Sequence, residues 1–535
     1  MKYLKPNVVI EPLFDKWFAW SHLISPATAA FNVKERHLKI MNSYISAPQI
    51  HAAAVKNPSM LGGPFMDFDK PRVQEVKSLK ETTLRKQEEL LELAEAIRAV
   101  QKMLDEHEEG YSLEELYEKI PEPLSGYIEL VYDLDHNPSI RFYEPLLYNS
   151  KFYKPESQSF ALWLTDNDER PFVLSTPRLE SEDVVHIEIP FDHEAIDLLS
   201  QMKRKPGNVD QIKKLLKISE DKENLFETFF TDEAPKPYEP YTGDKVRMRY
   251  FGHACVLVET KDVSILVDPV VSYYGYPQEV ERFSDMDLPE EIDYVLLTHN
   301  HQDHILFETL IPLRHRVKNF VVPKTTSGAL QDPNVKLMLN AIGFKNVLEV
   351  GDLEQLKFED CTITGLPFIG EHADLNIQSK LCHHVNFGQF SMLFLADSCN
   401  VDAKLYQHVH KMIGDVDVIL LGMECEGAPL SWLYGPLSRK EISREADRSR
   451  TLSGSNFARG KNLVDVFNPK EVYVYAMGME PWIEFISSKR YTDEDHPIVQ
   501  SNMLVDYCQN NGLVAERLYG EKELFYEKER SASMV

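Results

Sequence analysis

The sequence predicts an α/β protein in two parts, a mixed α+β N-terminal domain and a layered α/β C-terminal domain. Three observations carry this expectation. From Lys245 onward, short apolar runs alternate with helical stretches, as in VRMRYFG, CVLVET, SILVDP, YVLLTH, FSMLFLAD, VDVILLGME and EVYVYAMG. Strands alternating with helices build a layered sheet domain. The segment DEAPKPYEPYTGD at 232–244 holds three prolines and a glycine, so it continues neither a helix nor a central strand. With 43% hydrophobic residues over 535 positions, the chain can bury a sizeable core. The expected organisation is therefore a domain at 1–231, a linker at 232–244 and a second domain at 245–535.

Along the chain, residues 1–75 are aromatic and small-residue rich, with Trp17, Phe18 and Trp20, and read as a surface that packs against something. Leu90, Leu93, Ile97, Val100 and Leu104 recur at spacings of three and four, which predicts one amphipathic helix on a core; a dimer seam is the alternative. The runs YIELVYDL, ALWL and VVHIEI predict strands, and a basic helix is expected at about 209–217. Net charge is −27, from 58 Lys+Arg against 85 Asp+Glu. A chain this acidic is a poor ligand for nucleic acid or an anionic membrane. The six cysteines form no CxxC pair, no run reaches the length of a membrane span, and MKYLKPNVVIEP lacks a signal-peptide core. The expectation is a reduced, cytoplasmic protein.

The sharpest signal is YVLLTHNHQDH at 294–304. An apolar strand ends there, and His299 and His301, two apart in extended chain, point to one side. Asp303 and His304 follow at the turn. Burying these polar groups together would be costly without a cation, which makes them candidate metal ligands.

This HxHxDH run resembles the metallo-β-lactamase superfamily. YFGHACVLVETKDVSILVDP is similar to its opening hairpin, with Asp268 at a strand end, and Asp397 in FLADS resembles its metal-bridging aspartate. The resemblance implies an αββα sandwich with a dinuclear site along one edge. The hydrolases of that superfamily add two later histidines. Here the segment expected to carry the first reads LPFIGEHADLNIQSK. The second has no counterpart, because His496 is the single histidine in 411–535. Instead Glu424 follows an apolar strand in VDVILLGMECEG.

These departures resemble the metallo-β-lactamase-fold diiron β-hydroxylase family known from chloramphenicol biosynthesis, as does the N-terminal text EPLFDKWFAWSHLISPATAAFNVKERHLKIMNSY. The resemblance implies two iron ions held by His299, His301, Asp303, His304, Glu371, Asp397 and Glu424, with O₂ as co-substrate and an external electron donor. It also implies β-hydroxylation of an aminoacyl group tethered to a nonribosomal peptide synthetase carrier protein. The chemistry agrees: hard oxygen donors suit iron or manganese, whereas nitrogen-rich or thiolate sites suit zinc. The alternative is a dinuclear zinc hydrolase of a phosphodiester, lactone or thioester, which keeps the fold and needs only a metal-bound hydroxide. Two choices stay open. Glu371 and His372 are adjacent, and one strand cannot present both to one site. Glu424 competes with Glu426.

Other histidines read as structural: His383 and His384 as a turn pair, His253 in the hairpin, His408 and His410 at helical spacing, and His496 in a surface loop. Residues 439–461 carry seven Lys+Arg against three Asp+Glu. Two readings compete for this segment, a solvated helix and a basic lip in which Arg439, Lys440, Arg444 and Arg448 receive an acidic carrier protein. The aromatic N-terminal region is a candidate homodimer interface.

Overall fold

The computed structural model describes residues 1–358 and 360–528; the remaining residues of the expected 245–535 domain lie outside the described residues. Tyr3–Leu4 pairs with Phe230–Thr231, so both ends of the N-terminal part meet. Between them an antiparallel sheet runs in the order Trp17–Phe18, Val8–Phe14, Gln158–Leu164 and Val185–Ile187. The helix over the 3.6-period pattern spans Glu88–Glu106, and Leu90, Leu93, Ile97, Val100 and Leu104 are all at most 2% exposed. Its apolar stripe is consumed inside the chain, which leaves no dimer seam. Trp17, Phe18 and Trp20 are buried in the same core, so they are not a free interface. The basic helix is shorter than expected, Val209–Leu215.

From Val246 to Thr231 backwards no helix or strand intervenes. Beyond it, among the described residues, two seven-stranded sheets stack. The first runs Val347–Val350, Val317–Pro323, Ile292–Leu296, Ser264–Val267, Val256–Glu259, Val246–Tyr250, Lys522–Tyr526. The second runs Gln355–Lys357, Thr362–Pro367, Leu381–Asn386, Ser391–Phe394, Val418–Gly422, Glu471–Tyr475, Val514–Arg517. Alternate residues of the two inner faces, including Ile265, Leu296 and Val321 against Ile363, Phe394 and Leu420, fill the space between the sheets. Helices Ala403–Ile413, Phe457–Phe467 and His496–Asn510 cover the second sheet. Helix Phe307–Leu313 covers the first, and the N-terminal core is continuous with it. This is the αββα sandwich.

The strands at the centre of each sheet are parallel: Ser264–Val267 with Ile292–Leu296, and Ser391–Phe394 with Val418–Gly422. Parallel neighbours end at the same edge, so their C-terminal loops converge there. Three of the four candidate ligand segments, those with 299–304, Asp397 and Glu424, follow such strands, whereas Glu371 follows Thr362–Pro367, which pairs antiparallel with both neighbours.

Three local expectations need correction. His383 and His384 lie within the strand Leu381–Asn386, not in a turn, and His383 Nε2 bonds to the Leu297 carbonyl at 2.9 Å. His496 is exposed, but it opens a helix. The basic segment is broken: a short helix at Arg444–Ser449 and the start of Phe457–Phe467 are separated by irregular chain at 450–456.

Candidate metal centre

The loop after Ile292–Leu296 carries Thr298 to His304 across the sheet edge. Asp268, at the end of the neighbouring strand, is fully buried and has a positive φ of 39°. Its carboxylate accepts the Thr298 N–H at 2.8 Å, the Thr298 hydroxyl at 2.5 Å and His304 Nδ1–H at 2.7 Å. Because the Thr298 proton goes to Asp268, the Thr298 oxygen accepts from His299 Nδ1–H at 3.0 Å. The tautomers follow from these bonds. His299 and His304 both turn Nε2 towards Asp397 Oδ2, at 3.8 and 3.0 Å. Partners of this kind fix ring orientation at metal sites.

His301 is oriented the other way. Nδ1 faces Glu371 Oε1 at 2.8 Å, and Nε2 meets the Tyr434 hydroxyl at 3.2 Å. His253 accepts the Gly478 N–H on Nδ1 at 3.2 Å, which places its proton on Nε2, 3.5 Å from Asp303 Oδ2. His253 therefore supports Asp303 from behind.

The opposing sheet supplies Glu371, Asp397 and Glu424. Glu371 and His372 sit in a turn and not in one strand, and of the two it is Glu371 whose carboxylate groups with His299 and His301. Gly370, Glu371, Ala373 and Asp374 all have positive φ. The turn brings the His372 ring 4.5 Å from the His301 ring and His372 Nδ1 to 2.6 Å from Glu371 Oε2, outside hydrogen-bond alignment. Gly422 ends its strand without a side chain, and a Cβ there would collide with Asp397 Oδ1. Glu424 lies two residues further on. It lines one cleft of about 100 Å³ with His301, Asp303, Glu371 and Asp397, while Glu426 is exposed.

Three groups place ligand atoms within 4.8 Å of one another: His299, His301 and Glu371; His299, His304 and Asp397; and His253, Asp303 and His304. Glu424 is outside these groups and pairs with Lys489 Nζ at 2.6 Å. Sequence reasoning gave no role to Lys489, Tyr434 or Thr298. Tyr434 stands in GAPLSWLYGPL, an aromatic and proline-rich run beside Glu424 that carried the signal; Lys489 in ISSKRY carried none.

Electrostatics and orphaned atoms test whether a cation fits. Burial would raise the Glu371 and Asp303 carboxyls. The rings of His301 and His372 outweigh it at Glu371, and those of His253, His304 and His301 do so at Asp303, so both fall well below the usual range. Burial would also suppress the His304 charge, but Asp268 and Asp397 raise its pKa well above the ordinary value. Burial and neighbouring His304 keep His299 neutral. Burial pushes Glu424 up to about 7 despite Lys489. The buried atoms His299 Nε2, Glu371 Oε2 and Asp397 Oδ1 have no hydrogen-bond partner. Divalent cations would satisfy these atoms and displace the imidazolium protons. The oxygen-rich donor set fits iron.

The basic segment divides. Arg439 is committed to the N-terminal part, donating to Asp105 at 3.2 Å and to the Gln101 carbonyl at 2.9 Å. Lys440, Arg444 and Arg448 are exposed.

Residues 3–235 match the family of the diiron non-heme beta-hydroxylase N-terminal domain, and residues 264–427 match a beta-lactamase superfamily domain. The 4-amino-L-phenylalanyl-[CmlP-peptidyl-carrier-protein] 3-hydroxylase of Streptomyces venezuelae is 39% identical over 534 residues, covering 98% of this chain and all of that protein. The crystal structure of CmlA, a diiron beta-hydroxylase from the same organism, superposes with a TM-score of 0.92 over 98% of this chain and 99% of that one, at 39% identity. A glutamate-to-aspartate variant of the CmlA beta-hydroxylase gives 0.90 at 38% identity, covering 98% and 100%.

Proposed function

The chain belongs to the diiron non-heme β-hydroxylases, enzymes with a β-lactamase-superfamily domain, and from that premise we propose that it hydroxylates the β-carbon of an aminoacyl group held as a thioester on a peptidyl carrier protein. His299, His301, Asp303, His304, Glu371, Asp397 and Glu424 would hold the two irons. The observation that carries this reading is the donor set at one sheet edge: His301 and four carboxylates, Asp303, Glu371, Asp397 and Glu424, line one cleft, and His299 and His304 bring ligand atoms within 4.8 Å of Glu371 and Asp397. A site with one hydroxide to deliver and no redox change has no need of so many charged oxygens. No helix among the described residues is long and apolar enough to cross a membrane.

When bound, two irons would supply the redox chemistry that turns O₂, two electrons, two protons and a C–H bond into an alcohol and water. The electrons come from an external reductant. The protein's own groups prepare the site for this. Asp268 and Thr298 fix the rings of His299 and His304. His253 keeps its proton on Nε2, facing Asp303. Lys489 neutralises Glu424. Leu433, Leu452 and Ile486 form apolar walls that exclude water from the reacting carbon. Lys440, Arg444 and Arg448 offer an exposed basic surface to an acidic carrier.

The test supplies the iron-loaded protein with a reductant, isotopically heavy O₂ and a panel of aminoacyl groups, each free and carrier-bound. The expected product is carrier-bound and heavier by one oxygen atom derived from O₂. Thioester hydrolysis without O₂ uptake would overturn the reading. Equal turnover of the free amino acid would overturn its carrier-bound half.

A further inference from the structure

The wall behind His301 is built by a loop that the N-terminal part holds in place. Tyr434 is 4% exposed and closes the short helix Leu430–Leu433. Its hydroxyl contacts His301 Nε2 at 3.2 Å, on the side of the ring away from Glu371. The loop around it is clamped from the N-terminal part at three points. Arg36, 7% exposed, donates to the Trp432 carbonyl at 2.9 Å. Arg98, stacked 4.4 Å over Phe31, donates to the Pro436 carbonyl at 3.3 Å. Arg439 reaches back to Asp105 and Gln101. The ring of His22, itself stacked on Trp20 at 4.5 Å, lies 6.0 Å from the Tyr434 ring and blocks its retreat.

We propose that Tyr434 is a positioning residue through which the N-terminal part sets the orientation of His301 at the metal centre. The inference rests on the reading of His301 as an iron ligand through Nδ1. In that role Nε2 carries the proton and donates it to the Tyr434 oxygen. A ligand whose second nitrogen is fixed binds in one orientation, and loss of such a partner costs about 10- to 100-fold in metal affinity or activity. Tyr434 touches no reacting atom, so its effect passes entirely through the His301 ring. The three arginine clamps explain why the effect belongs to the N-terminal part: each ends on the backbone or flank of the loop, not on the centre.

The experiment titrates metal-free protein with ferrous ion against a competing chelator under argon, and records the ligand-field spectrum of the cobalt(II)-loaded forms. Four proteins are compared: wild type, Tyr434→Phe, Tyr153→Phe and His301→Ala. Tyr153 donates a tyrosine hydroxyl bond to the Ala341 carbonyl at 3.0 Å, far from the centre, and controls for loss of a structural hydroxyl. Tyr434→Phe is expected to weaken one of the two ferrous sites about 10- to 100-fold and to shift the cobalt spectrum, with Tyr153→Phe unchanged in both. Arg36→Met, which loosens the loop without touching Tyr434, is expected to move both readouts in the same direction by a smaller factor. Wild-type affinity and spectrum in Tyr434→Phe, alongside metal loss in His301→Ala, would overturn this inference alone. Full metal retention in His301→Ala would overturn the ligand reading and this inference with it.

Discussion

Arg170 donates both terminal N–H groups of its guanidinium to Glu308, at 2.7 Å each, and joins the N-terminal part to the helix that follows the histidine motif. One of those nitrogens also reaches Glu11 Oε1 at 3.1 Å, and Arg178 donates to the other Glu11 oxygen at 2.7 Å. Tyr273 adds a bond to Glu308 at 2.9 Å. Glu11 and Glu308 are nearly inaccessible to solvent, so Arg170 bridges two buried carboxylates and, together with Arg178, balances their charge.

Removing one member of such a network leaves an uncompensated buried charge. Arg170→Met is expected to destabilise the protein by about 3–5 kcal/mol. Denaturant unfolding of the two proteins checks this. Because the network ends on the helix after His304, metal loading should fall with it.

Asp268→Asn tests the scaffold of the histidine rings. The amide oxygen can still accept from Thr298, and asparagine tolerates the positive φ. Its NH₂, however, would face His304 Nδ1–H, donor against donor. The ring must then flip its tautomer or turn. Metal affinity is expected to fall about 10- to 100-fold with the fold retained. Ferrous binding and circular dichroism, measured together, separate the two effects.

Glu144 supplies a pH prediction far from the centre. It opens the helix Glu144–Tyr148, is 7% exposed, and accepts the Asn334 N–H at 3.0 Å. Burial pushes its carboxyl from the ordinary 4.5 up to about 7. A raised acid pKa means that the folded state holds the proton longer than the unfolded state. Glu144 therefore costs stability progressively as pH rises from about 4.5 to about 7, in total on the order of 3 kcal/mol. Glu144→Gln keeps the acceptor and removes the titration. The stability gain of Glu144→Gln should be larger at pH 8 than at pH 5; an equal gain at both would contradict the assignment.

The exposed arginines of the helix Arg444–Ser449 give a kinetic prediction. Arg444→Glu with Arg448→Glu is expected to slow turnover of a carrier-bound substrate at low ionic strength. The deficit should shrink as salt screens the encounter, and metal content should stay unchanged. Unchanged turnover at low salt would mean that this helix is only solvated surface.

Much of this was legible in the sequence because the signals were local. The 3.6-residue period of Leu90 to Leu104 required a buried helix, and the strand-then-HxHxDH order required a sheet edge. Asp397 and Glu424 follow apolar strands, and the family resemblance is what pointed to them as ligands. What failed depended on backbone turns or on distant partners. Four positive-φ residues in 370–374 turn Glu371 towards the centre and set the His372 ring beside His301, and alternation rules for strands do not anticipate such a turn. Arg439 looked like part of a basic lip until Asp105, more than three hundred positions away, claimed it. Trp17, Phe18 and Trp20 looked like an interface because composition does not say which surface covers them.

In the proposed function the carboxylate-rich donor set is what suits the site to iron and to a redox cycle. The deciding measurement is metal content with O₂ uptake, for wild type and for Glu371→His with Glu424→His, each loaded with ferrous ion in large excess over zinc. The double change removes two negative charges and adds two nitrogen donors, which shifts preference towards zinc. Wild type is expected to hold two irons per chain and to consume O₂ only with reductant, with the variant taking zinc and losing O₂ uptake by orders of magnitude. A wild type that selects zinc and consumes no O₂ with iron, reductant and carrier-bound substrate all supplied would contradict the proposed function.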